Sequence, residues 1–156
     1  MMTQRITFQL VLLFVLPACF NACRTVYPSA EVNYLSGTEN ILTVRAVGIG
    51  HNREEAILNA EQKVFDVLFF RGLPESAQKL PLTGSNEIEE KNRHKKYFDD
   101  FYDGQRHKTF IMSSIPVSDP AKYRKGQKVI SVDVKVNLTA LRRDLETFGV
   151  IRKFGY

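Results

Sequence analysis

The stretch ILTVRAVGIGHNREEAILNAEQKVFDVLFFRGLP, residues 41–74, joins a strand pattern to a helix pattern through a short turn. Residues 41–49 are rich in β-branched side chains and alternate along the chain, which predicts a strand. Asn52 followed by Glu55 has the spacing of a capping box and predicts that a helix begins there. Gly72 and Pro74 predict that this helix ends near residue 71.

The predicted helix is apolar over more than half of its circumference at 100° per residue. We therefore expect the sheet to cover one side of it and a second element to cover the other. The stripe comprises Ala56, Ile57, Ala60, Val64, Val67 and Leu68, and it is widened by Leu58, Phe65 and Phe69.

Glu61 falls inside this apolar arc, about 40° from Ile57 at helical spacing. One interpretation is a carboxyl group with a raised pKa, which could serve as a catalytic acid. The other is a residue at the edge of the arc that reaches water or an arginine.

The turn Gly48-Ile49-Gly50 also has two interpretations. Backbone N–H groups between a strand and a helix can cradle a phosphate, and Arg53 would add a cation. However, the dinucleotide fingerprint requires a third glycine where this chain has Arg53. The alternative is structural, because glycines permit a tight turn and close packing.

A second helix is predicted from Ser85 or Asn86 to Asp103, closed by Gly104. Its second half carries aromatic residues at helical spacing, which either pack onto the first helix or form a platform for a ligand. These residues are Tyr97, Phe98, Phe101 and Tyr102.

Two further strands and a final helix complete the pattern. Residues 109–117 and 128–138 are predicted as strands, and Thr139 as the cap of a helix that ends at Gly149. In the second of these strands, the core-facing residues are Ile130, Val132, Val134, Val136 and Leu138. The order β-α-(α)-β-β-α predicts an α+β domain over residues 39–156. We expect an antiparallel sheet of about three strands with helices on one face.

The amino-terminal segment indicates export. Arg5 precedes the apolar run of residues 10–16, and Pro17 interrupts that run well before the length that a membrane-spanning helix requires. The segment resembles a bacterial lipoprotein signal, in which a lipobox ends at the lipidated cysteine. Cys23 is the favoured lipidation site and Cys19 the alternative, because Pro17 is a poor second lipobox residue.

These cysteines set the predicted organisation of the chain. Residues 1–22 form a signal peptide, residues 23–38 a tether and residues 39–156 one domain. Diacylglycerol on Cys23 would hold the protein to a membrane without spanning it. We expect a lipid-anchored position on the outer membrane, facing the periplasm. The domain has no cysteine after Cys23, so its stability must come from packing.

Two longer stretches carry a family resemblance. VRAVGIGHNREEAILNAEQKV (44–64) and KVISVDVKVNLTALRRDLE (128–146) resemble small envelope lipoproteins and the N-terminal domain of flagellar assembly protein T. LFFRGLP (68–74) and GVIRKFGY (149–156) are similar to uncharacterised lipoproteins of Gram-negative anaerobes. The resemblance covers most of residues 41–151. It implies an accessory or assembly role at the envelope, and no flagellar feature is visible.

No catalytic, cofactor or metal site is predicted. His51, His94 and His107 form no short ligand motif, and Ser113-Ser114 lacks the context of a nucleophile elbow. The chain has 156 residues, of which 44% are hydrophobic and 11% aromatic, as expected for one globular domain.

The chain carries a formal net charge of +5, with several basic clusters. Such clusters are usually solvated surfaces, but converging ones could meet anionic headgroups or an acidic partner. Export excludes nucleic acid. The first hypothesis is thus a non-enzymatic interaction or assembly module with an envelope protein as partner. The alternative is a binder of a small anionic ligand or lipid headgroup. Its candidate residues are Tyr97, Phe101, Arg53, Lys122, Arg124 and Lys125.

Overall fold

The computed structural model describes residues 31–153. The predicted signal peptide, both cysteines and the tether up to residue 30 lie outside the described residues. Short 3₁₀ helices occur at Arg106–Phe110 and Arg124–Gly126. The strands and α-helices, in chain order, are β1 (Val32–Gly37), β2 (Ile41–Gly50), α1 (Arg53–Phe70), α2 (Glu87–Arg93), α3 (Lys95–Tyr102), β3 (Ile111–Pro116), β4 (Ala121–Lys122), β5 (Lys128–Asn137) and α4 (Leu138–Thr147).

The described strands form one antiparallel sheet in the order β1-β2-β5-β3, and β4 pairs with β5 beside β3. The central pair, β2 and β5, is in register from Ile41 opposite Asn137 to Gly50 opposite Lys128. The α+β class and the antiparallel sheet are therefore confirmed. The sheet has five strands rather than the expected three or so, and the element order differs slightly, because β1 and β4 add two strands.

Strand β1 lies within the segment that was predicted to be a tether. Val32 pairs with Ala46 and Tyr34 with Val44, and both side chains pack against the core. The pattern is hard to recognise because the strand is short, contains Ser36 and shifts register at a bulge. The folded domain thus begins before residue 39.

Helix α1 begins and ends as the sequence predicts. The Asn52 side chain accepts a hydrogen bond from the Glu55 N–H at 2.8 Å, and the Glu55 carboxylate accepts one from the His51 N–H at 2.9 Å. Gly72 follows the helix at φ +74°, a conformation that favours glycine. Gly48 and Gly50 let the start of this helix approach β2 closely. An added Cβ on Gly48 would lie 1.8 Å from the Ala56 carbonyl oxygen, so the structural interpretation of the glycine turn accounts for it.

The second predicted helix is divided in two at His94, whose φ of −116° and ψ of 38° are not helical. Asn86 caps the first part by accepting a hydrogen bond from the Glu89 N–H. The aromatic residues of α3 pack onto α1, as the core interpretation predicted. Phe101 meets Phe65 and Phe69 edge-on, at ring centroid distances of 5.1 and 5.0 Å.

The last strand and helix differ from prediction only in detail. The predicted core residues of β5, together with Leu138, are all buried. Asn137, not Thr139, caps α4 by accepting a hydrogen bond from the Ala140 N–H at 3.0 Å. The hydroxyl of Thr139 instead donates to the side chain of Asn40 at 2.9 Å. Gly149 follows this helix at φ +67°.

The close approach of α1 to β2 predicts that the stability of the domain is sensitive to any side chain at Gly48. Gly48→Ala places a methyl group against backbone atoms that cannot move independently, so it should lower the free energy of unfolding by about 1–3 kcal/mol or more. Urea denaturation measures this loss. Gly84→Ala is the control, since its added Cβ would meet the movable side chain of Glu90. Equal losses in the two variants would contradict the packing argument.

Candidate functional site

The structure divides the predicted ligand residues between the two ends of the sheet. Lys122 lies opposite Lys128, which in turn lies opposite Gly50, so the β4–β5 hairpin is beside the start of α1. Tyr97 instead bonds to Asp144 in α4, which begins where β5 ends. The predicted residues therefore do not form one site.

We call the first of these locations the basic end. Its lysine and arginine side chains are exposed, and the hairpin turns at Lys125 (φ +55°) and Gly126 (φ +77°). The turn is closed by a hydrogen bond from the Tyr123 N–H to the Gln127 carbonyl at 2.7 Å. The basic end comprises Arg53, Lys122, Arg124, Lys125 and Lys128.

Acidic residues also lie close to this end, in the first turn of α1. Glu55 is engaged in the helix cap, where it accepts from the His51 N–H and from the Asn52 amide. Lys122, Lys125 and Lys128 have no ion-pair partner within residues 31–153. The basic end thus keeps net positive charge at its surface.

The described chain also enters the sheet near the basic end. The Glu31 carbonyl accepts a hydrogen bond from the Val47 N–H at 2.9 Å, three residues before the end of β2. Lys63 holds this point by donating to the Val47 carbonyl and to the Glu31 carboxylate, each at 3.3 Å. The described part of the chain therefore begins on this side of the domain.

The sheet has a second surface feature, on the face away from α1. Strand register places Ile49 opposite Val129 and Val47 opposite Ser131, while Val117 donates its N–H to the Ser131 carbonyl. We call the apolar residues of this face the outer patch. It comprises Val47, Ile49, Ile115, Val117 and Val129, which are exposed or half-buried.

The outer patch is bordered by a charged pair. The Arg45 guanidinium donates two hydrogen bonds to the Asp133 carboxylate, from Nε at 2.7 Å and from Nη2 at 2.9 Å. The two residues face each other across β2 and β5. Ile115 lies beside Asp133 and is 57% exposed, which is high for an isoleucine on a sheet.

Tyr97 lies at the opposite end, in a cleft of about 500 Å³ beside the break between α2 and α3. Its hydroxyl donates to the Asp144 carboxylate at 2.9 Å. Burial, and then that carboxylate, raise the pKa of Tyr97 well above its ordinary value. Arg106 lies over the Phe148 ring at 4.2 Å and pairs with the Asp144 carboxylate.

This cleft offers an anion little free charge, because three of the four lysine and arginine side chains that line it are paired with carboxylates, and Lys96 is the exception among the described residues. Arg93 pairs with Glu89 and Glu90, and Lys95 pairs with Asp99. Phe101 contributes nothing to the cleft surface, since its side chain is completely buried. The prediction that Phe101 contacts a ligand is therefore wrong. The residue is held in the core between α1 and the 3₁₀ helix before β3, where its ring stacks on Phe110 at 5.8 Å.

A buried polar cluster was not recognised in the sequence. His107 is completely buried, and its Nδ1 lies 3.0 Å from the Phe101 carbonyl oxygen, so Nδ1 carries the proton of that hydrogen bond. Its Nε2 lies 3.8 Å from the Glu61 carboxylate. Nε2 and the Ser114 hydroxyl are buried and make no hydrogen bond of 3.5 Å or less among the described residues, but both lie close enough to Glu61 to stabilise its ionised carboxylate.

This cluster shows that the interpretation of Glu61 as a carboxyl group with a raised pKa is wrong. Burial raises the pKa of this carboxyl, but His107, Ser114 and the charge of Lys108 lower it by more, so the pKa lies below its ordinary value. The partners of Glu61 are distant in sequence, and helical spacing could not reveal them. Serine, histidine and glutamate together could suggest a hydrolase, but a substrate has no access to a completely buried histidine.

The other two histidines lie elsewhere, with His51 exposed near the start of α1 and His94 at the break between α2 and α3. Within residues 31–153, no group of three or more His, Cys, Asp or Glu side chains is placed to hold a metal ion. No helix in that range is long and apolar enough to cross a membrane.

No family model, curated protein or solved structure matches this chain. The resemblance to envelope lipoproteins therefore stays a prediction.

The burial of Phe101 predicts a structural rather than a binding phenotype. Phe101→Ala should lower the free energy of unfolding by about 3–5 kcal/mol, because it leaves a cavity among five phenylalanine and tyrosine rings. Phe148→Ala is the control, since that ring is 55% exposed and should cost about 1 kcal/mol or less. Chemical denaturation gives both values, and a similar small loss in each would contradict the core assignment.

The lowered pKa of Glu61 predicts a loss of stability in acid. A carboxyl group whose pKa is lowered by folding contributes stability above its unfolded pKa and loses that contribution as pH falls through the folded pKa. Glu61→Gln should therefore destabilise the protein by about 1–3 kcal/mol at neutral pH. The difference from the unsubstituted protein should shrink below pH 4.5, the ordinary glutamate value.

Urea midpoints over a pH series measure this effect. Glu75→Gln is the matched control, because Glu75 is exposed and its substitution should change the stability little. A Glu61→Gln effect that is constant with pH would contradict the role of the ionised carboxylate.

Proposed function

We propose that this chain is a lipid-anchored protein of the outer membrane, facing the periplasm. It acts as a non-enzymatic interaction module for an envelope protein complex. The anchor is diacylglycerol on Cys23, with Cys19 as the alternative site. The signal segment and the resemblance to envelope lipoproteins support the anchor and the location. The observation that carries the interaction role is the outer patch.

The outer patch supports an interaction role because the described helices pack on the opposite face of the sheet. Contiguous apolar surface on a protein marks a site of interaction more often than isolated apolar residues do. Ile49 and Val129 face each other across two central strands, so the patch is held rigidly. Rigid placement lowers the entropic cost of binding.

The composition of this face indicates the chemistry of the partner. An apolar centre bordered by the Arg45–Asp133 pair fits a protein surface with an apolar core and a polar rim. The partner should carry hydrogen-bonding groups that meet this ion pair, both of whose side chains retain solvent exposure. A folded protein surface fits better than an added strand, because β1 and β3 are both bulged and Pro116 lies at the end of β3.

The absence of catalysis is part of the proposal. The buried cluster of Glu61, His107 and Ser114 supports it, because this cluster stabilises a core and does not line a cleft. The alternative, binding of a small anionic ligand or lipid headgroup, is supported by the basic end alone. Tyr97 and Phe101 cannot contribute to such a site, since they lie at the other end of the sheet.

Site-specific crosslinking in cells tests the proposal. A photo-crosslinker at Ile115 should capture a defined envelope protein, and Val117→Glu should abolish that product because a charge enters the apolar contact. Leu80→Glu and Ile88→Glu are matched controls, since both residues are 75% exposed and lie outside the outer patch. Both controls should retain the product. A chain that stays monomeric and forms no product would contradict the proposed function, and so would equal loss in all three variants.

A further inference from the structure

We infer that the basic end of the domain rests on a bilayer containing anionic, phosphate-bearing lipids, in the membrane that holds the anchor. The contact orients the domain, with the β4–β5 hairpin toward the headgroups and α2, α3 and α4 away from them. This inference rests on the lipid anchor of the proposed function and adds to it a defined surface and a lipid class.

The chain enters the sheet close to the basic end. Glu31 pairs with Val47, only three residues from Gly50 and the basic end, or about 10 Å along the strand. Glu31 follows Cys23 by eight residues, which span at most about 29 Å when fully extended. The ten residues of β5 separate the basic end from the far end of the sheet by about 30 Å. The basic end is therefore the end that the anchor draws toward the membrane.

The β4–β5 hairpin carries unbalanced positive charge. Lys122 and Lys128 are directly opposite each other, and like charges in that position destabilise a strand pair. Lys125 occupies the turn between them with a positive φ, which is unfavourable for a residue other than glycine. An anionic surface would relieve this repulsion.

The cations at the other end of the domain are mostly paired. Around the cleft beside Tyr97, Arg93, Lys95 and Arg106 each pair with a carboxylate. The three hairpin lysines have no such partner within the described residues. Single unpaired lysines such as Lys96 also occur elsewhere, but the hairpin brings three of them together within residues 122–128, near the point where the chain enters the sheet.

The expected contact with the membrane is strong enough to orient the anchored domain but too weak to attach it without the anchor. Each lysine near an anionic membrane surface strengthens binding by about fivefold, so three lysines contribute about a hundredfold. That bias is sufficient to select one orientation of an anchored domain. The outer patch, which adjoins this end through Ile49 and Val129, then lies near the membrane surface, where an envelope partner can reach it.

Lysine reactivity in the lipidated protein tests the inference. Full-length protein purified from membranes is reconstituted into vesicles of phosphatidylcholine alone or of phosphatidylcholine with phosphatidylglycerol. Acylation rates of individual lysines are then read by mass spectrometry. Lys122, Lys125 and Lys128 should react several-fold more slowly on the anionic vesicles, and high salt should remove the difference. Lys79 and Lys96, which are exposed at the other end, should react equally on both.

Two double substitutions test whether the protection of Lys128 depends on the neighbouring lysines. With Lys122→Gln and Lys125→Gln together, the remaining Lys128 should lose its protection. Lys79→Gln with Lys96→Gln removes the same charge elsewhere and should leave that protection intact.

Several results would overturn the inference. These are equal hairpin reactivity on the two vesicle types, protection of Lys79 and Lys96 instead, and equal protection by inorganic phosphate without vesicles, which would indicate a small-anion site. Flotation with phosphatidylcholine vesicles reports on the anchor separately. A protein that floats there but shows no hairpin protection contradicts this inference alone. A protein that does not float contradicts the anchor, and the inference with it.

Discussion

The contact between helix α1 and strand β2 is the constraint on which the other features of the domain depend. Gly48 and Gly50 have no side chains, so the first turns of the helix lie directly on the strand. Further along the same helix, Phe65 and Phe69 are covered by Phe101 of α3. The same contact places the start of α1 beside the β4–β5 hairpin and so assembles the basic end.

Because the described helices all pack on one face of the sheet, the two sides of the domain differ in composition. The helical side is filled by aromatic rings, which bury a large apolar area without any disulfide. Within residues 31–153 no helix covers the other face of the sheet, and the Arg45–Asp133 pair divides its apolar half from its polar half. The proposed interaction role and the proposed orientation use this asymmetry, since the apolar half adjoins the basic end.

The sequence predicted the local features of the fold better than the long-range ones. The cap at Asn52 and the inward face of β5 depend on residues a few positions apart, and both are confirmed. Strands β1 and β4 were missed because they are short and are stabilised by pairing with distant residues. The cap of α4 was misplaced because Asn137 and Thr139 both have side chains suited to that position.

Prediction of the candidate site depended even more on how the fold brings distant residues together. Sequence identified the exposed cations but could not show which end of the sheet each occupies, so aromatic and basic residues were combined into one site. The direction of the Glu61 pKa shift also required His107, which is 46 residues away along the chain.

The most direct test of the proposed membrane anchor is mass spectrometry of the amino-terminal peptide of the membrane-bound protein. The account predicts a peptide that begins at Cys23, or at Cys19, with diacylglycerol on that cysteine. An unmodified peptide that retains residues 1–18 would contradict it.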